Sequence, residues 1–320
     1  MTDTAAILPR SAVAADYVAL MKPRVMSLVV FTGLAGLIAA PGAIDPILGF
    51  AALLAIAAGA GGAGALNMWD DADIDAKMAR TRARPVPSGR VPASEALALG
   101  LTMAILAVLL MTLAGGVLAA GLLAFSIWFY VGVYTMALKR RTPENIVIGG
   151  LAGALPPAIA WAAKTGALGV DPLILVAMIF FWTPPHFWAL ALYQRGDYAA
   201  AGVPMLPVTN GPAETRKRIL IYSLILAPLC LAPVFTGLGG ALYGAIAALG
   251  GIAFVALALR IARSQAGEEK HGGDLYAVAR GDKAARDLFA FSILFLALLF
   301  GALIVEHGAG LYWPLAAFKA

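Results

Sequence analysis

Asn67, Asp71 and Asp75 recur every four residues near the end of a long apolar run. On an α-helix this spacing spreads three side chains over only about 80° of one face, so an amide and two carboxylates face a common point. Mg²⁺ takes one or two carboxylates together with oxygens of a substrate phosphate. The spacing therefore predicts a magnesium site at these three residues. Asp70 and Asp73 point elsewhere on the helix, and Asp73 is expected to pair with an arginine.

The residues that follow are rich in cations. Lys77, Arg80, Arg82 and Arg84 come directly after the acidic stretch. A guanidinium group matches phosphate oxygens in a bidentate manner. The stretch is typical of a diphosphate clamp, in which carboxylates bind the metal, the metal binds the diphosphate and arginines neutralise the remaining charge. A charged loop that only sets membrane topology is the alternative, but topology depends on Lys and Arg and does not require four carboxylates.

The clamp lies in a chain that is otherwise apolar. The 320 residues are 61% hydrophobic and 13% charged, with a mean hydropathy of +0.86, whereas soluble domains carry about 25% charged residues. A bilayer core about 30 Å thick needs roughly 20 apolar helical residues for each crossing. We therefore predict a single all-α domain over residues 1–320, a polytopic membrane protein with nine transmembrane helices. The predicted spans are 25–40, 47–67, 93–113, 117–138, 146–163, 173–193, 219–238, 241–261 and 288–305.

The positive charge is concentrated on one side of these spans. Of the 23 Lys and Arg residues, only Lys164 and Lys319 fall on the side opposite to the amino terminus. The positive-inside rule then predicts a cytoplasmic amino terminus, with residues 1–17 as a flexible segment, and a periplasmic carboxyl terminus in a bacterial inner membrane. Topology and contact with anionic membrane lipid explain the pI near 9.4 without nucleic acid as a partner. The single Cys230 excludes an intramolecular disulfide.

The longest polar junctions before residue 220 follow the second and sixth spans, at 67–92 and 193–218. This spacing predicts two halves of four helices, each contributing one loop to a shared cavity, as internal repeats do in many membrane proteins. Small residues at Gly149, Gly150 and Gly153 predict close helix packing.

A metal-bound diphosphate at the mouth of an apolar bundle indicates an isoprenoid diphosphate as substrate, with its polar head at the loops and its tail between helices. The metal would stabilise charge on the departing diphosphate, and apolar and aromatic walls would shield the allylic cation from water. A transporter of an anionic lipid or of haem, with the carboxylates as a proton relay, is the remote alternative. Relay carboxylates are expected within spans, whereas these lie at a cytoplasmic mouth.

The N-x-x-x-D-x-x-x-D pattern resembles the UbiA-type superfamily of intramembrane prenyltransferases, whose members carry nine helices and transfer polyprenyl groups from diphosphates. Within that superfamily, several stretches between about residues 17 and 304 resemble the protohaem IX farnesyltransferase (haem O synthase) branch. These stretches are LMKPRVMSLVVFTGLAG, NMWDDADIDAKMARTRARPVPSG, RRTPENIVIGGLAGALPPAIAW and FFWTPPHFWALALYQRGDYAAAGVPMLPV.

The resemblance implies a reaction that composition does not show. Farnesyl diphosphate would alkylate the 2-vinyl group of haem B, with addition of water, to give haem O and diphosphate. The haem O would serve terminal oxidases, and haem A synthase would be a downstream partner. It implies metal and diphosphate roles for Asn67, Asp71 and Asp75. Arg80 and Arg84 match the R-T-x-x-R-P arginines of the branch, and His186 matches the histidine of its P-P-H-F-W motif.

One departure from the wider superfamily concerns the second polar loop. Relatives that act on quinone precursors usually carry a second D-x-x-x-D after span six, whereas this chain offers only Tyr193 and Asp197. Asp197 is expected to serve a weaker second metal site, or Lys217 or Arg218 replaces metal charge. A sister prenyltransferase acting on a quinone precursor or chlorophyllide is the nearest alternative function.

His186 lies within span six, and an ionisable residue inside a membrane is a functional candidate. It could ligate or orient haem iron, act as a base on the transferred cation, or simply pack against a neighbouring helix. Haem would also need cations for its propionates and aromatic walls for its ring. The candidates for these contacts are Lys22, Arg24, Lys139, Arg140, Trp182 and Trp188.

Overall fold

The computed structural model describes residues 12–269 and 280–313, and this part of the chain forms helices and turns without any β-strand. The predicted all-α membrane fold is confirmed. Residues 1–11 of the predicted flexible segment 1–17 lie outside the described residues. The last residues of the segment belong to the first helix, which begins at Ala14. The helices are α1 Ala14–Leu20, α2 Pro23–Ala39, α3 Pro46–Asp70, α4 Ala72–Asp75, α5 Ala93–Trp128 with a π-helical continuation Phe129–Leu138, α6 Asn145–Ala154, α7 Pro156–Thr165, α8 Val170–Tyr193, α9 Arg195–Ala200, α10 Leu206–Thr209, α11 Pro212–Leu229, α12 Ala232–Thr236, α13 Ala241–Ala262 and α14 Lys283–Gly308, the last preceded by the 3₁₀ turn Arg280–Asp282.

The number of spanning helices differs from the predicted nine. Within the described residues, seven helices are long and apolar enough to cross a membrane, or eight if α1 and α2, bent by 53° at their junction, form one span. The difference arises in α5 and its continuation, 46 residues that include both predicted spans 93–113 and 117–138. A straight helix of that length would measure about 69 Å, more than twice the bilayer core. It is interrupted at Gly116, whose φ of 78° and ψ of 178° are not helical.

The helices pack into two apolar cores. One core joins α2, α3, α5 and α7 around Ile56, Met111 and Ile159, and the other joins α8, α11, α13 and α14 around Met178 and Phe254. Lipid tails are as apolar as these side chains, so close packing rather than exclusion from water stabilises such contacts. Helix α7, from the fifth predicted span, packs in the first core, and α2 also contributes Ala35 and Ala39 to the second, so the two halves of four helices stay a prediction.

Glycines allow the closest helix contacts. A Cβ atom on Gly62 of α3 would lie 2.9 Å from the carbonyl oxygen of Gly100 in α5. A Cβ atom on Gly149 of α6 would lie 2.2 Å from Cδ2 of Tyr134, and one on Gly150 would lie 3.0 Å from Cγ2 of Thr183. The predicted close packing is thus confirmed at Gly149 and Gly150. It is wrong for Gly153, since nothing lies within 4 Å of its Cβ position.

The two long polar loops meet at one end of the bundle. Ile74 and Met78 from the loop after α3 share a small buried cluster with Tyr198, Val203 and Met205 from the loop after α8. This contact joins the two halves where the acidic and basic residues are concentrated, as the spacing of the loops predicted. The apolar spans around it make the chain a multi-pass membrane protein.

Candidate functional site

Asn67, Asp71 and Asp75 share one buried face although the helix that carries them is interrupted. Helix α3 ends at Asp70 and α4 begins at Ala72. The backbone N–H of Asp71 still donates to the carbonyl oxygen of Asn67 at 2.9 Å, and that of Asp75 donates to Asp71 at 2.8 Å. These bonds keep the helical repeat through the break. All three side chains are at most 3% exposed.

Each of these three side chains contacts a cation. Lys22 donates to Oδ1 of Asn67, Lys139 forms an ion pair with Oδ2 of Asp71, and Arg84 pairs with Oδ2 of Asp75 at 2.6 Å. A buried carboxylate without a partner is costly, so these cations stabilise the cluster. The structure therefore places Lys22 and Lys139, predicted to bind haem propionates, in the acidic cluster.

The cluster also offers polar atoms without partners. Oδ1 of Asp71, Oδ1 of Asp75 and Nε of Arg80 are buried and form no hydrogen bond. More than 90% of buried polar groups in proteins are paired, so such atoms indicate a missing ligand. Two free carboxylate oxygens beside a free guanidinium donor fit a divalent cation bound together with a phosphorylated substrate.

Asn67 forms hydrogen bonds to three side chains within the cluster. Its amide nitrogen donates to Oδ2 of Asp71 at 2.7 Å and to Oγ1 of Thr135 at 3.0 Å, while its oxygen accepts from Lys22. Asn67 thus orients Asp71 in this structure, while its predicted role as a metal ligand stays a prediction. Among the described residues, no three His, Cys, Asp or Glu side chains lie close enough to hold a metal ion. The chain therefore offers two carboxylates to a cation, which matches the small number of protein ligands that Mg²⁺ takes beside a phosphate.

Sequence reasoning missed the residues that the end of α5 brings to this cluster. Thr135 is fully buried and accepts from Asn67, and the rings of Tyr130 and Tyr134 stack with centroids 5.4 Å apart. Tyr130 lies within electrostatic range of Asp71 and Asp75. The only signal in the sequence was the i, i+4 spacing of the two tyrosines ahead of three cations. Their direction depends on the π-helical turn, which a sequence pattern does not reveal and which often occurs at functional sites.

Arg140 binds the two remaining aspartates of the stretch. Its guanidinium group contacts both carboxylate oxygens of Asp73, at 2.7 and 2.8 Å, and the backbone oxygen of Asp70 at 2.7 Å. The hydrogen bond from Arg140 holds the pKa of the Asp73 carboxyl group below its ordinary value. The predicted arginine partner of Asp73 is therefore confirmed. Arg24 is exposed on α2, and its proposed contact with haem stays a prediction.

The second loop contacts the arginine segment directly. Oδ2 of Asp197 accepts from the backbone N–H of Arg80 at 3.4 Å, and Asp197 is buried. Tyr193, at the end of α8, is also buried and lies within electrostatic range of Arg80. Lys217 is exposed on α11, and Arg218 beside it is paired with glutamates. Asp197 therefore supports the backbone of the clamp in this structure, while its predicted metal role stays a prediction.

His186 is buried in α8, between aromatic rings. Its centroid lies 4.2 Å from that of Trp182 and 4.6 Å from that of Phe289, and both neighbouring rings are stacked on it. Its Nδ1 atom lies 2.7 Å from Oγ of Ser292 in α14. Trp182 and Trp188 are both buried in the carboxyl-terminal core, and their predicted contacts with the substrate stay predictions.

The UbiA prenyltransferase family matches residues 28–271, and the chain belongs to this family. A protoheme IX farnesyltransferase of Maricaulis maris is 62% identical over 299 residues, which cover 93% of this chain and 91% of that protein. A protoheme IX farnesyltransferase of Caulobacter vibrioides is 60% identical over 304 residues, covering 92% of this chain and 91% of that protein. The chain thus matches these enzymes over nearly its whole length.

Two solved structures share the fold at much lower identity. A digeranylgeranylglyceryl phosphate synthase aligns with a TM-score of 0.71 and 17% identity, covering 91% of this chain and 97% of that one. A UbiA homologue of Archaeoglobus fulgidus, bound to DMAPP and Mg²⁺, aligns with a TM-score of 0.64 and 17% identity, covering 91% and 99%. The membrane prenyltransferase fold is therefore confirmed.

Proposed function

We propose that this protein transfers the farnesyl group of farnesyl diphosphate to the 2-vinyl group of haem B, with addition of water, to give haem O and diphosphate. The observation that carries the proposal is the pair of free buried carboxylate oxygens of Asp71 and Asp75, together with the free Nε of Arg80, at the mouth of an apolar bundle. Such a pair suits the polar end of a substrate whose other end is apolar. The names of relatives at 60% and 62% identity support haem B as the acceptor.

The metal and diphosphate would be held by the acidic and basic residues of the cluster. Oδ1 of Asp71 and Oδ1 of Asp75 would bind Mg²⁺, and Asn67 would keep Asp71 in position through its amide nitrogen. The ion would supply Lewis-acid stabilisation of the charge on departing diphosphate. Arg80 and Arg84 donate to phosphate oxygens in this proposal.

Other residues of the chain would protect the allylic cation once the diphosphate leaves. The stacked rings of Tyr130 and Tyr134 stand beside the carboxylates, and ring faces stabilise a cation that is withdrawn from water. Lys22 and Lys139, which contact Asn67 and Asp71 in the structure, add positive charge at the same place. This positive charge would neutralise the negative charge of the released diphosphate.

The acceptor would lie deeper in the bundle, towards His186. Two helical turns separate His186 from Tyr193, about 10 Å along α8 at 1.5 Å per residue. Trp182 and Phe289 provide flat apolar surfaces on either side of the imidazole. The propionates would then point to the loop end of the bundle, where Arg24 and Arg140 add positive charge beside the clamp.

We also propose an inner bacterial membrane as the location, with the amino terminus and the clamp in the cytoplasm and the carboxyl terminus in the periplasm. The support is the concentration of Lys and Arg on the clamp side of the spans. Haem A synthase is the enzyme expected to consume the product.

The test is a reaction with purified protein, haem B, farnesyl diphosphate and Mg²⁺, analysed for haem O by mass spectrometry. We expect product formation that stops when a chelator removes the divalent cation and resumes when Mg²⁺ is restored. Prenylation of 4-hydroxybenzoate without any product from haem B would instead assign the protein to quinone precursors. Full activity in the presence of chelator would contradict the metal role of Asp71 and Asp75.

A further inference from the structure

The imidazole ring of His186 is fixed on both faces and at one edge. Trp182 and Phe289 stack on its two sides, with interplanar angles of 16° and 21°. Nδ1 lies 2.7 Å from the Ser292 hydroxyl oxygen. The indole N–H of Trp182 donates to the backbone oxygen of Ser292 at 2.8 Å, so one residue of α14 holds both rings. Phe187 also packs against the imidazole in a T-shaped contact, with centroids 5.1 Å apart. Nε2 is the ring nitrogen that no hydrogen bond within the described residues fixes.

The hydroxyl group of Ser292 determines which ring nitrogen of His186 carries the proton. Its Oγ atom lies 2.6 Å from the backbone oxygen of Phe289, to which it donates its only proton. It must therefore accept a hydrogen bond from Nδ1–H of His186. No carboxylate pairs with the imidazole within the described residues, and a buried cation without a partner is unfavourable. The ring is thus neutral, and Nε2 carries the lone pair.

This lone pair remains accessible. Nε2 forms no hydrogen bond within the described residues. Nε1 of Trp188 is also without a partner there, but it is fully enclosed, whereas Nε2 of His186 is not. His186 is 8% exposed, and that exposure includes Nε2. A histidine that served only packing would have no reason to keep its basic nitrogen open while its other nitrogen is fixed.

We propose that Ser292 is a positioning residue that holds His186 so that Nε2 binds the iron of the haem substrate. This inference rests on the proposed function, because it requires haem as the acceptor. Histidines that bind metals typically donate their other ring N–H to a fixed acceptor, which sets the tautomer and the ring orientation. Nε2 donates its lone pair to iron, one Fe–N bond forms, and no proton is released. The contact anchors the macrocycle while the vinyl group reacts elsewhere.

The experiment compares the binding of ferric haem with that of iron-free protoporphyrin IX to the purified full-length protein. The wild type should prefer haem, with a Soret band typical of imidazole ligation. Ser292→Ala should weaken haem binding by about tenfold or more and leave protoporphyrin binding unchanged, as loss of a partner to a metal-bound histidine does. Ser292→Thr should restore the preference because it restores the hydroxyl group, and His186→Ala should abolish it.

Ser223→Ala is the matched control, because Ser223 is equally buried and its hydroxyl donates to the backbone oxygen of Ile219 at 2.6 Å, with no histidine involved. This variant should keep the preference for haem. Equal binding of haem and protoporphyrin by the wild type would overturn the inference, as would equal weakening of both ligands in Ser292→Ala. If the wild type farnesylates haem without preferring iron, only the role of His186 and Ser292 is wrong. Without any farnesylated haem, the proposed function itself is wrong.

Discussion

Asp71 and Asp75 divide their two oxygens between the protein and a ligand. In each carboxylate, Oδ2 contacts a cation of the chain and Oδ1 is buried without a partner. The contacts with Lys139 and Arg84 orient the carboxylates, and the free oxygens remain available to a metal ion. At the scale of single residues, we therefore expect catalysis to depend on these buried carboxylates and much less on the exposed Asp73 nearby.

Asp71→Asn removes the charge of a metal ligand with little change in volume. We expect haem farnesylation to fall at least about 100-fold, since even partners of metal ligands cost 10- to 100-fold when they are changed. Asp73→Asn is the matched control, because its carboxylate is exposed and pairs with Arg140. Turnover rates for both variants, together with thermal unfolding in detergent, separate loss of chemistry from loss of folding. Equal activity of the two variants would contradict the metal role of Asp71.

Arg80→Ala removes the guanidinium group whose buried Nε has no partner within the described residues. A hydrogen bond to a charged group contributes about 1.5–3 kcal/mol, so KM for farnesyl diphosphate should rise by roughly 10- to 100-fold. Arg82→Ala, at an exposed position of the same segment, should change it little. Steady-state kinetics with varied farnesyl diphosphate measures the difference. An unchanged KM in Arg80→Ala would show that Arg80 does not contact the diphosphate.

At the scale of elements, the site depends on where α5 ends. The π-helical segment Phe129–Leu138 directs Tyr130, Tyr134 and Thr135 towards the end of α3. Helix α6 then approaches so closely that only a glycine fits beside the Tyr134 ring. Helix packing and the position of an aromatic wall are therefore coupled at Gly149.

Gly149→Ala introduces a methyl group where its Cβ would lie 2.2 Å from Cδ2 of Tyr134. Overpacking of this kind costs about 1–3 kcal/mol and moves the ring away from the carboxylates. We expect a lower melting temperature and a severalfold lower kcat. Gly153→Ala on the same helix is the control, because nothing lies within 4 Å of that Cβ position. Wild-type stability in Gly149→Ala would show that Tyr134 moves without cost.

At the scale of the whole molecule, the site lies between two halves with separate cores. The Asp197 contact with the Arg80 backbone and the buried cluster around Tyr198 join the loops of the two halves. The polar residues of the clamp are thereby placed at one end of the bundle, and the short connections lie at the other end. The proposed orientation puts the clamp end in the cytoplasm.

Cysteine labelling tests this orientation, because the native Cys230 is buried and gives little background. Ser94→Cys, exposed at the start of α5 on the clamp side, should react with an impermeant maleimide only after the membrane is opened. Ala167→Cys, exposed in the turn after α7, should react in spheroplasts with an intact membrane. The reverse pattern would place the clamp in the periplasm.

The sequence by itself determined the membrane class, the helical fold and the family, and it predicted the diphosphate clamp. These features depend on local patterns: apolar length, the i, i+4, i+8 spacing of Asn67, Asp71 and Asp75, and short motifs. The count of nine spans differs from the seven or eight helices of the structure, because the structure joins the predicted spans 93–113 and 117–138 into one helix of 46 residues with a break at Gly116.

Only the tertiary structure decided which residues meet. Lys22 and Lys139 are distant from Asp71 in the chain but contact Asn67 and Asp71 in the structure. The residues around each lysine in the sequence do not show whether it only sets membrane topology or pairs with the acidic cluster. Ser292 carries no motif and comes next to His186 through the packing of α14 on α8. Such contacts depend on how helices far apart in sequence pack together, and periodicity along one helix contains no information about its neighbours.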